Sequence, residues 1–298
     1  MLKQLIKKWL KPNGISVLIA AQNEEKTIRL CVESFLEFGD EIIIVTNGST
    51  DRTRDICKEL VKEYPQKVQF YDKPELPDLY HNRAFALSKA KYRWVMRGDA
   101  DYVAYTDEDG KYSIRNLRNR IMQTIVYYPT AFWVEQVNIS IKYNLTRKLK
   151  IENKNIILPY IAPPYGTGYM PRIYLNTPLL KFTRIRENEG VLFNNLYKQI
   201  FIDQPYWFHL TLKSEEDLFL RTERRNWRKV ANYAKYPTLK SYFEKKVLKE
   251  KYNNMSFEEA KKYYIENILY PSLDYYNENK YFPYPMSIKR LLNEKKEN

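Results

Sequence analysis

The sequence predicts an α/β protein in which a mostly parallel sheet is flanked by helices and followed by a mainly helical C-terminal extension. Two observations favour this class. Short β-branched runs alternate with amphipathic segments from Gly14 to about Tyr105, which is typical of strand-helix-strand units. Mainly helical periodicity begins at about Lys213, after aromatic and proline-rich stretches. The 298 residues allow one large domain or two smaller ones.

The elements of the first region follow in order along the chain. Apolar runs predict buried strands at 15–21 and 41–45, and helical spacing predicts a helix from about Glu25 to Phe38 that stops at Gly39. The capping-box spacing of Ser256 and Glu259 predicts a helix near the C-terminus. The remaining predicted elements are a helix through Ile56, Leu60 and Val61, a strand at 67–72, a helix at 82–90, and a strand at 92–96 that stops at Arg97 and Gly98.

Composition limits the class of protein. A hydrophobic content of 44% with 15% aromatic residues argues against disorder, and no apolar run reaches the roughly 20 residues of a membrane-spanning helix. The N-terminus lacks the pattern of a secretory signal, so we expect a cytoplasmic protein. Cys31 and Cys57 lack metal-ligand spacing and are predicted to be free buried thiols.

The net charge of +14 predicts a polyanionic partner: nucleic acid, an anionic membrane surface, or a phosphorylated substrate. Residues 1–13 form a basic amphipathic N-terminal segment with apolar residues on one helical face and lysines on the rest. This segment either attaches peripherally to a membrane or is a solvated end of the chain.

Two carboxylates, Asp99 and Asp101, follow the last predicted strand of the first region, separated by Ala100. Ligands of an open parallel sheet bind beyond the carboxyl ends of its strands. Two carboxylates this close repel one another unless a cation lies between them, and Mg²⁺ or Mn²⁺ prefers oxygen ligands. The pair therefore predicts a divalent metal site that can bridge phosphate oxygens; the alternative is a solvated acidic turn.

Four segments together resemble a known family. They are ISVLIAAQNEEKTI, DEIIIVTNGSTDRT, NRAFALSKA and WVMRGDAD. Their order and approximate spacing are similar to those in the nucleotide-binding half of glycosyltransferase family 2, whose members have the GT-A (Rossmann-like) fold. The resemblance covers about residues 14–105. It implies a nucleotide-sugar-binding half at 14–105, an acceptor-binding half of the same domain at 106–235, and a helical extension at 236–298.

The resemblance also implies which residues bind the donor. The loop after the first strand would contact the base and ribose, and Arg83 resembles the family's basic residue near the nucleotide, although a surface arginine at a helix start is the alternative. The implied nucleotide-sugar contacts are Ala20, Gln22, Glu24, Asn47, Arg83, Asp99 and Ala100. The implied metal ligands are Asp99, Asp101 and His209, with a satisfied core histidine as the alternative for His209.

One position departs from the family pattern. Where many members have an aspartate that accepts a hydrogen bond from uracil N3-H, this chain has Thr46 and Asn47. The side-chain oxygen of Asn47 can accept that bond, but its amide can equally donate to another base. Uridine is therefore the default expectation for the donor. For Asp51, which follows in the same turn, capping of the next helix is the expected role.

The segment SEEDLFLRTERRNWRKV resembles the family's acidic pair before a helix, where a carboxylate acts as general base in inverting members. The resemblance implies that Asp217 is the general base, with Glu216 as the second candidate. The alternative is that both are acidic residues favoured by a helix N-terminus. Glu187 and Glu189 are further candidates for the base, His81 is a neighbour of the nucleotide loop, and Arg172 either lines the sugar or acceptor pocket or belongs to a plain loop.

The predicted function is metal-assisted transfer of a sugar from a nucleotide-sugar, with UDP as the default nucleotide, to a glycan or lipid-linked acceptor with inversion, in bacterial-type surface polysaccharide synthesis. Two other classes remain open. A nucleic-acid-binding protein would suit the charge and the 27 tyrosines, but no recognition motif is present and we expect no nucleic acid. A sugar nucleotidyltransferase would usually have a glycine-rich phosphate loop after the first strand, where this chain has AAQNEEKT.

Overall fold

The computed structural model describes residues 11–141, 155–157, 173–185, 188–191, 196–211, 215–227, 232, 235–269, 274–275, 278 and 282–293. The chain divides into two units. The larger consists of Met1–Ile139, Ile161–Leu210 and Asn277–Asn298, and the smaller of Ser140–Tyr160 and Thr211–Tyr276. Of the predicted N-terminal segment 1–13, residues 1–10 lie outside the described residues.

The described strands are short and lie mostly in the larger unit. In chain order they are β1 Ile15–Ala21, β2 Glu41–Thr46, β3 Val68–Asp72, β4 Trp94–Asp99, β5 Tyr102–Ala104, β6 Thr130–Val134, β7 Val137–Ile141, β8 Asn155–Ile157, β9 Ile173–Leu175, β10 Phe182–Ile185, β11 Asn188–Val191, β12 Lys198–Ile202, β13 Trp207–Thr211 and β14 Asp274–Tyr275.

The described helices begin between β1 and β2 in the chain order and continue to near the C-terminus. They are α1 Ile28–Ser34, α2 Thr53–Glu63, α3 Leu79–Lys89, α4 Ile114–Met122, α5 Glu215–Arg221, α6 Arg224–Trp227, α7 Leu239–Tyr242, α8 Leu248–Lys251, α9 Phe257–Tyr264 and α10 Met286–Asn293. A 3-10 helix covers Asp107–Tyr112, and π-helical turns cover Phe243–Val247 and Ile265–Leu269.

The larger unit is built on a seven-stranded sheet with the order β12-β6-β9-β4-β1-β2-β3. Strands β3, β2, β1 and β4 are parallel neighbours, β9 is antiparallel to both β4 and β6, and β12 is parallel to β6. Six strands therefore run in one direction and one runs against them. This mostly parallel sheet confirms the predicted fold class.

Both faces of the sheet are buried, as expected of a parallel sheet covered by helices. Along β1, Val17 and Ile19 face one hydrophobic cluster, into which α1 and α2 also pack, whereas Leu18 faces the cluster that includes Ala86 of α3. The uninterrupted apolar run of β1 in the sequence follows from this two-sided burial. Cys31 and Cys57 are free and fully buried in the first cluster, which confirms their predicted state.

The predicted bounds of the first helix and the predicted end of β4 were wrong. The first helix spans only Ile28–Ser34 rather than about Glu25 to Phe38, because Asn23 has a φ of 56° and hydrogen-bonded turns precede and follow the helix. Strand β4 does not stop at Arg97 and Gly98 but continues to Asp99, since β1 supplies a ladder of partners in which Gly98 lies opposite Ile19. The missing Cβ of Gly98 suits this packing, because a Cβ there would lie 3.3 Å from the carbonyl oxygen of Leu18.

The smaller unit contains helices α5 to α9 and an antiparallel ribbon in which β8 lies between β7 and β14. Its core is aromatic: the ring of Phe219 on α5 lies 4.5 Å from that of Phe243 and 5.5 Å from that of Phe257, measured between ring centroids. Ser256 and Glu259 form the predicted capping box at the start of α9. In the described part of the chain, no helix is both long and apolar enough to cross a membrane.

Candidate active site at the carboxyl edge of the sheet

The carboxyl ends of β1, β2 and β4 meet at one edge of the main sheet. Ala20 near the end of β1 lies opposite Val45 of β2 on one side and opposite Asp99 of β4 on the other. This register brings together the loop after β1, the turn after β2 and the acidic pair. The three segments were singled out separately in the sequence, and the parallel pairing makes them neighbours.

The loop after β1 and the turn after β2 are joined by side-chain to backbone hydrogen bonds. The amide of Thr50 donates to Oδ1 of Asn23 at 2.8 Å, and the amide of Asn23 donates to Oγ of Ser49 at 3.2 Å. The left-handed backbone of Asn23, a conformation that asparagine tolerates better than most residues, allows this exchange. Sequence reasoning missed Asn23, although its position between two predicted contact residues was a usable signal.

The predicted contact residues Gln22 and Glu24 also link these two segments. The Nε2 of Gln22 donates to the carbonyl oxygen of Asn47 at 3.1 Å, and the amide of Glu24 donates to Oγ1 of Thr53 at 2.7 Å. Gln22 is exposed and Glu24 is half-buried, whereas Ala20 is buried in the strand. Gln22 and Glu24 therefore border the edge where a ligand has access, and Ala20 contributes backbone.

Asp51 secures the start of α2 and the loop after β1 at once. Its Oδ1 accepts from the amide of Thr53 at 3.0 Å, and its Oδ2 accepts from the amide of Glu25 at 3.1 Å. Partial burial opposes ionisation of Asp51, but the hydrogen bonds from Thr53 and Glu25 outweigh it and lower the pKa of this carboxyl group. The residue one position after Asp51, Arg52, occupies the formal N-cap of α2 without a capping side-chain bond.

Asn47 is half-buried just after β2 and lies in a chain of amide contacts. The Nδ2 of Asn82, on α3, donates to Oδ1 of Asn47 at 2.9 Å, and Nδ2 of Asn47 donates to the carbonyl oxygen of Leu76 at 3.4 Å. Asn82 is 1% exposed. Asn82 was not among the predicted site residues, because a contact between residues 35 positions apart leaves no local pattern in the sequence.

Asp99 is held by two arginines. Arg83, which is 1% exposed, donates from Nη1 to the carbonyl oxygen of Gly98 at 2.7 Å and from Nη2 to Oδ1 of Asp99. Nη2 of Arg97 lies 3.9 Å from the same carboxylate oxygen. Arg83 is thus not a surface arginine: it is a buried residue that positions Asp99.

Asp101 faces His209 of β13. The Oδ2 of Asp101 lies 3.2 Å from Nε2 of His209, and the amide of Leu210 donates to the carbonyl oxygen of Asp101 at 2.8 Å. Strand β13 pairs with β5 so that His209 lies opposite Tyr102, and the imidazole meets the edge of that ring at 5.2 Å between centroids. The short antiparallel ribbon therefore brings to Asp101 a histidine more than a hundred positions away.

The environment of the two carboxylates extends to a buried thiol. Cys31 donates from Sγ to the carbonyl oxygen of Asp99 at 3.4 Å. Burial raises the pKa of the Cys31 thiol well above its ordinary value, and the negative charges of Asp101, Asp99 and Glu24 add to the effect. Ala100, between the carboxylates, is 3% exposed, and its side chain packs into the core.

The residues present allow a test of the predicted metal site. Within the described ranges, no group of three or more His, Cys, Asp or Glu side chains is arranged to hold a metal ion, so Asp99, Asp101 and His209 do not form a complete set of ligands. Asp101 and His209 nevertheless bring a carboxylate and an imidazole together. Proteins commonly bind Mg²⁺ through one or two carboxylates plus substrate phosphates, and imidazole suits Mn²⁺. These two side chains fit a divalent cation that takes its remaining ligands from a diphosphate.

The residues proposed for proton transfer lie in the smaller unit or outside the described residues. Asp217 lies on α5, but its side chain is not described. Its neighbour Glu216 has its carboxylate oxygens 3.2 Å from Nζ of Lys240 and 3.7 Å from Nζ of Lys261. Glu187 and Arg172 lie outside the described residues, as does the side chain of Glu189.

His81 contacts the cap of its own helix. Its Nδ1 lies 2.8 Å from Oδ1 of Asp78, which also accepts from the amides of Tyr80 and His81 at the start of α3. These bonds outweigh the effect of partial burial and lower the pKa of the Asp78 carboxyl group. His81 therefore helps to close the N-terminus of the helix that carries Asn82 and Arg83.

Comparison with known proteins assigns this region to a family. Residues 16–158 match the family model described as "Glycosyl transferase family 2". The matched residues include β1, β2, β4 and the acidic pair. A teichoic acid poly(glycerol phosphate) polymerase of Staphylococcus epidermidis is 30% identical over 105 residues, which cover 34% of this chain and 14% of that protein.

A poly-beta-1,6-N-acetyl-D-glucosamine synthase of Staphylococcus epidermidis is 36% identical over 103 residues, which cover 32% of this chain and 23% of that protein. The chain thus spans less than a quarter of the length of either relative. Among solved structures, Staphylococcus aureus TarS 1-349 is a remote likeness, with a TM-score of 0.41 and 15% identity, covering 86% of this chain and 76% of that one. The model of glycosyltransferase family 2 thus matches residues 16–158, somewhat less than half of this chain.

Proposed function

We propose that the protein transfers a sugar from a nucleotide-sugar donor to a glycan or lipid-linked acceptor, with inversion at the anomeric carbon. The observation that carries this proposal is the meeting of the β1 loop, the β2 turn and the Asp99 to Asp101 pair at one carboxyl edge. Crevices of this kind in parallel sheets bind nucleotides. The UDP group expected from the family resemblance is the starting assumption for the donor.

The donor would lie across this edge with its base towards Asn47 and its ribose towards Gln22 and Glu24. Asp99, fixed by the buried Arg83, would accept hydrogen bonds from the ribose or sugar hydroxyls. This assignment is supported by the exposure of Gln22 and the partial exposure of Asn47 and Glu24 at the edge of an otherwise buried sheet.

Asp101 and His209 would hold a divalent cation between the protein and the diphosphate. When bound, such a cation neutralises charge on the departing nucleoside diphosphate. His209 is kept in position by its edge contact with Tyr102, and the ring of Tyr102 in turn stacks on Trp207 at 5.8 Å between centroids. This aromatic packing restricts the imidazole to the side on which Asp101 lies.

Asp217 would deprotonate the acceptor hydroxyl as its oxygen attacks the anomeric carbon from the side opposite the phosphate. The ion pairs of Glu216 with Lys240 and Lys261 favour Asp217 for this role, because both carboxylate oxygens of Glu216 already lie against ammonium groups. The net charge of +14 would hold the enzyme near a phosphorylated acceptor or an anionic membrane surface. A place in bacterial surface polysaccharide synthesis agrees with the named activities of the two staphylococcal relatives.

The test is consumption of nucleotide-sugars by the purified protein with Mn²⁺, with Mg²⁺ and with a chelator. We expect turnover of at least one donor only when metal is present, and a loss of at least about 100-fold in Asp101→Asn because a ligand and its charge are removed. Asp203→Asn is the matched control, since Asp203 is an exposed residue just after β12. Turnover that persists in Asp101→Asn, or the absence of nucleotide binding in the wild-type protein, would refute the proposal.

A further inference from the structure

Two aromatic side chains form an exposed pair on neighbouring strands of the main sheet. Trp133 of β6 lies opposite Phe201 of β12 in the parallel ladder, so both side chains project from the same face. Their rings are nearly parallel, with 5.5 Å between centroids and 23° between planes. Phe201 is 60% exposed, and no other phenylalanine in the described part of the chain is exposed.

The exposure of Phe201 follows from the position of its strand. Strand β12 ends the order β12-β6-β9-β4-β1-β2-β3, so among the described strands none lies beyond it in this sheet. One side of the Phe201 ring packs against Trp133, and the 60% exposure places much of the remaining ring surface in contact with water. The pair therefore offers a ligand the outer side of Phe201.

The side chains around the pair are uncharged. Ala131 and Gln199 precede Trp133 and Phe201 by two positions and lie on the same face of their strands. The indole Nε1 of Trp133 donates to Oε1 of Gln199, which fixes the plane of the indole ring. All four side chains are neutral, although 29% of the residues in the chain are charged. Phosphate groups and anionic membranes are bound by lysines and arginines, so this group of four suits a neutral partner.

An aromatic ring beside an amide has the chemistry to bind a sugar. A pyranose presents C–H groups on its faces, and these carry positive partial charge that packs well on the negative face of an aromatic ring. Its hydroxyls can donate to or accept from an amide such as that of Gln199. Apolar surface beside a few placed polar groups is typical of a ligand site. The Trp133–Phe201 pair and Gln199 thus match a neutral sugar.

The pair lies towards the same edge of the sheet as the candidate active site. Trp133 and Phe201 are the next-to-last residues of β6 and β12. Both strands run parallel to β4, because β9 is antiparallel to β4 and to β6. Strands β9 and β6 separate β4 from β12, which places β12 roughly 14 Å from β4 across the sheet. A sugar on Phe201 is therefore too distant to be the one that reacts beside Asp101.

We propose that Phe201 and Trp133 form a subsite for a neutral acceptor glycan, on which a sugar other than the reacting one packs. The acceptor is then an oligosaccharide or a longer chain, since a single sugar does not reach both this pair and the metal-binding residues. The inference rests on the proposed function and narrows its acceptor to an extended glycan, free or carried on a lipid.

The experiment is calorimetric titration of the full chain with maltohexaose, cellohexaose and N-acetylchitohexaose, and with glucose and N-acetylglucosamine. We expect at least one hexasaccharide to bind, and to bind more tightly than its own monosaccharide. In Phe201→Ala its affinity should fall about 10-fold, because the stacking surface is removed. Phe201→Tyr keeps the ring and should retain the affinity of the wild type.

The matched control is Tyr128→Ala, which removes an aromatic ring of almost equal exposure, 61%, from the loop before β6 at the other edge of the sheet. This variant should bind the hexasaccharide as the wild type does. The inference is overturned if no hexasaccharide binds, or if Phe201→Ala and Tyr128→Ala bind equally well. It is also overturned if sedimentation shows a wild-type dimer that Phe201→Ala dissociates, since the pair would then be a subunit contact. Failure of the wild-type protein to consume any nucleotide-sugar would instead refute the proposed function.

Discussion

Acidic side chains are held very differently in the two units. In the larger unit, Asp99 is paired with Arg83, whose side chain is 1% exposed, whereas in the smaller unit Glu216, with 38% of its side chain exposed, is paired with lysines. The side chain of Lys240, one of these lysines, is itself 51% exposed. A buried guanidinium cannot turn to water when its partner is removed, but an exposed ammonium group can. Similar ion pairs should therefore differ several-fold in their effect on stability.

The largest expected effect is that of Asp99→Asn. This substitution leaves the buried charge of Arg83 without its carboxylate, which should lower the free energy of unfolding by about 3 kcal/mol. Asp101→Asn should cost less stability, because the side chain of its partner His209 is 30% exposed and is therefore within reach of water. Denaturant unfolding of both variants beside the wild type measures the difference.

A similar loss of stability in both variants would show that burial of Arg83 does not decide the cost. A further variant, Arg83→Lys, separates the effect of charge from that of guanidinium geometry. It keeps the charge but loses the two separate bonds from Nη1 and Nη2 to Gly98 and Asp99. If Arg83→Lys unfolds with the stability of the wild type, the guanidinium geometry is unimportant for holding Asp99.

The sequence predicts an element correctly when the pattern that determines the element is local. Strand β1 was predicted with its observed bounds, because a run of apolar residues buried on both faces is a local pattern. The end of β4 was missed because Arg97 and Gly98 resemble a strand end. They remain in the sheet through pairing with β1 and through burial of Arg97. That information is held by residues about eighty positions earlier in the chain.

The residues of the candidate site likewise fall into those that local patterns predict and those that are brought in by contacts distant in sequence. Its acidic pair and the turn after β2 could be predicted, because the residue types and their spacing lie within single segments. The bond from Asn82 to Asn47 and the pairing of Asp101 with His209 depend on the packing of α3 and on the β5 to β13 ribbon. Such contacts follow from topology, and one sequence alone does not state them.

An intermediate effect is expected at the start of α9. Ser256→Ala removes a side-chain oxygen that accepts from the amide of Glu259 at 3.3 Å, and it should lower the free energy of unfolding by about 1 kcal/mol. Ser256→Thr retains a hydroxyl acceptor and should recover most of that loss. Because this cap lies in the smaller unit, nucleotide binding measured by calorimetry should not change. A Ser256→Ala variant as stable as the wild type would mean that solvent satisfies the amide equally well.

The smallest effect on stability is expected for Glu216→Gln. Its lysine partners are partly or largely exposed, so the loss should be below about 1 kcal/mol and should shrink further at high salt. Sugar transfer should also survive this change, because both carboxylate oxygens of Glu216 are engaged by Lys240 and Lys261. Asp217→Asn is the matched variant on the same helix, and it should lower kcat by about 100-fold or more while leaving donor binding intact, since it removes a general base. Measuring unfolding, donor binding and kcat for both variants separates the two roles: loss of transfer in Glu216→Gln with retention in Asp217→Asn would make Glu216 the base despite its lysines.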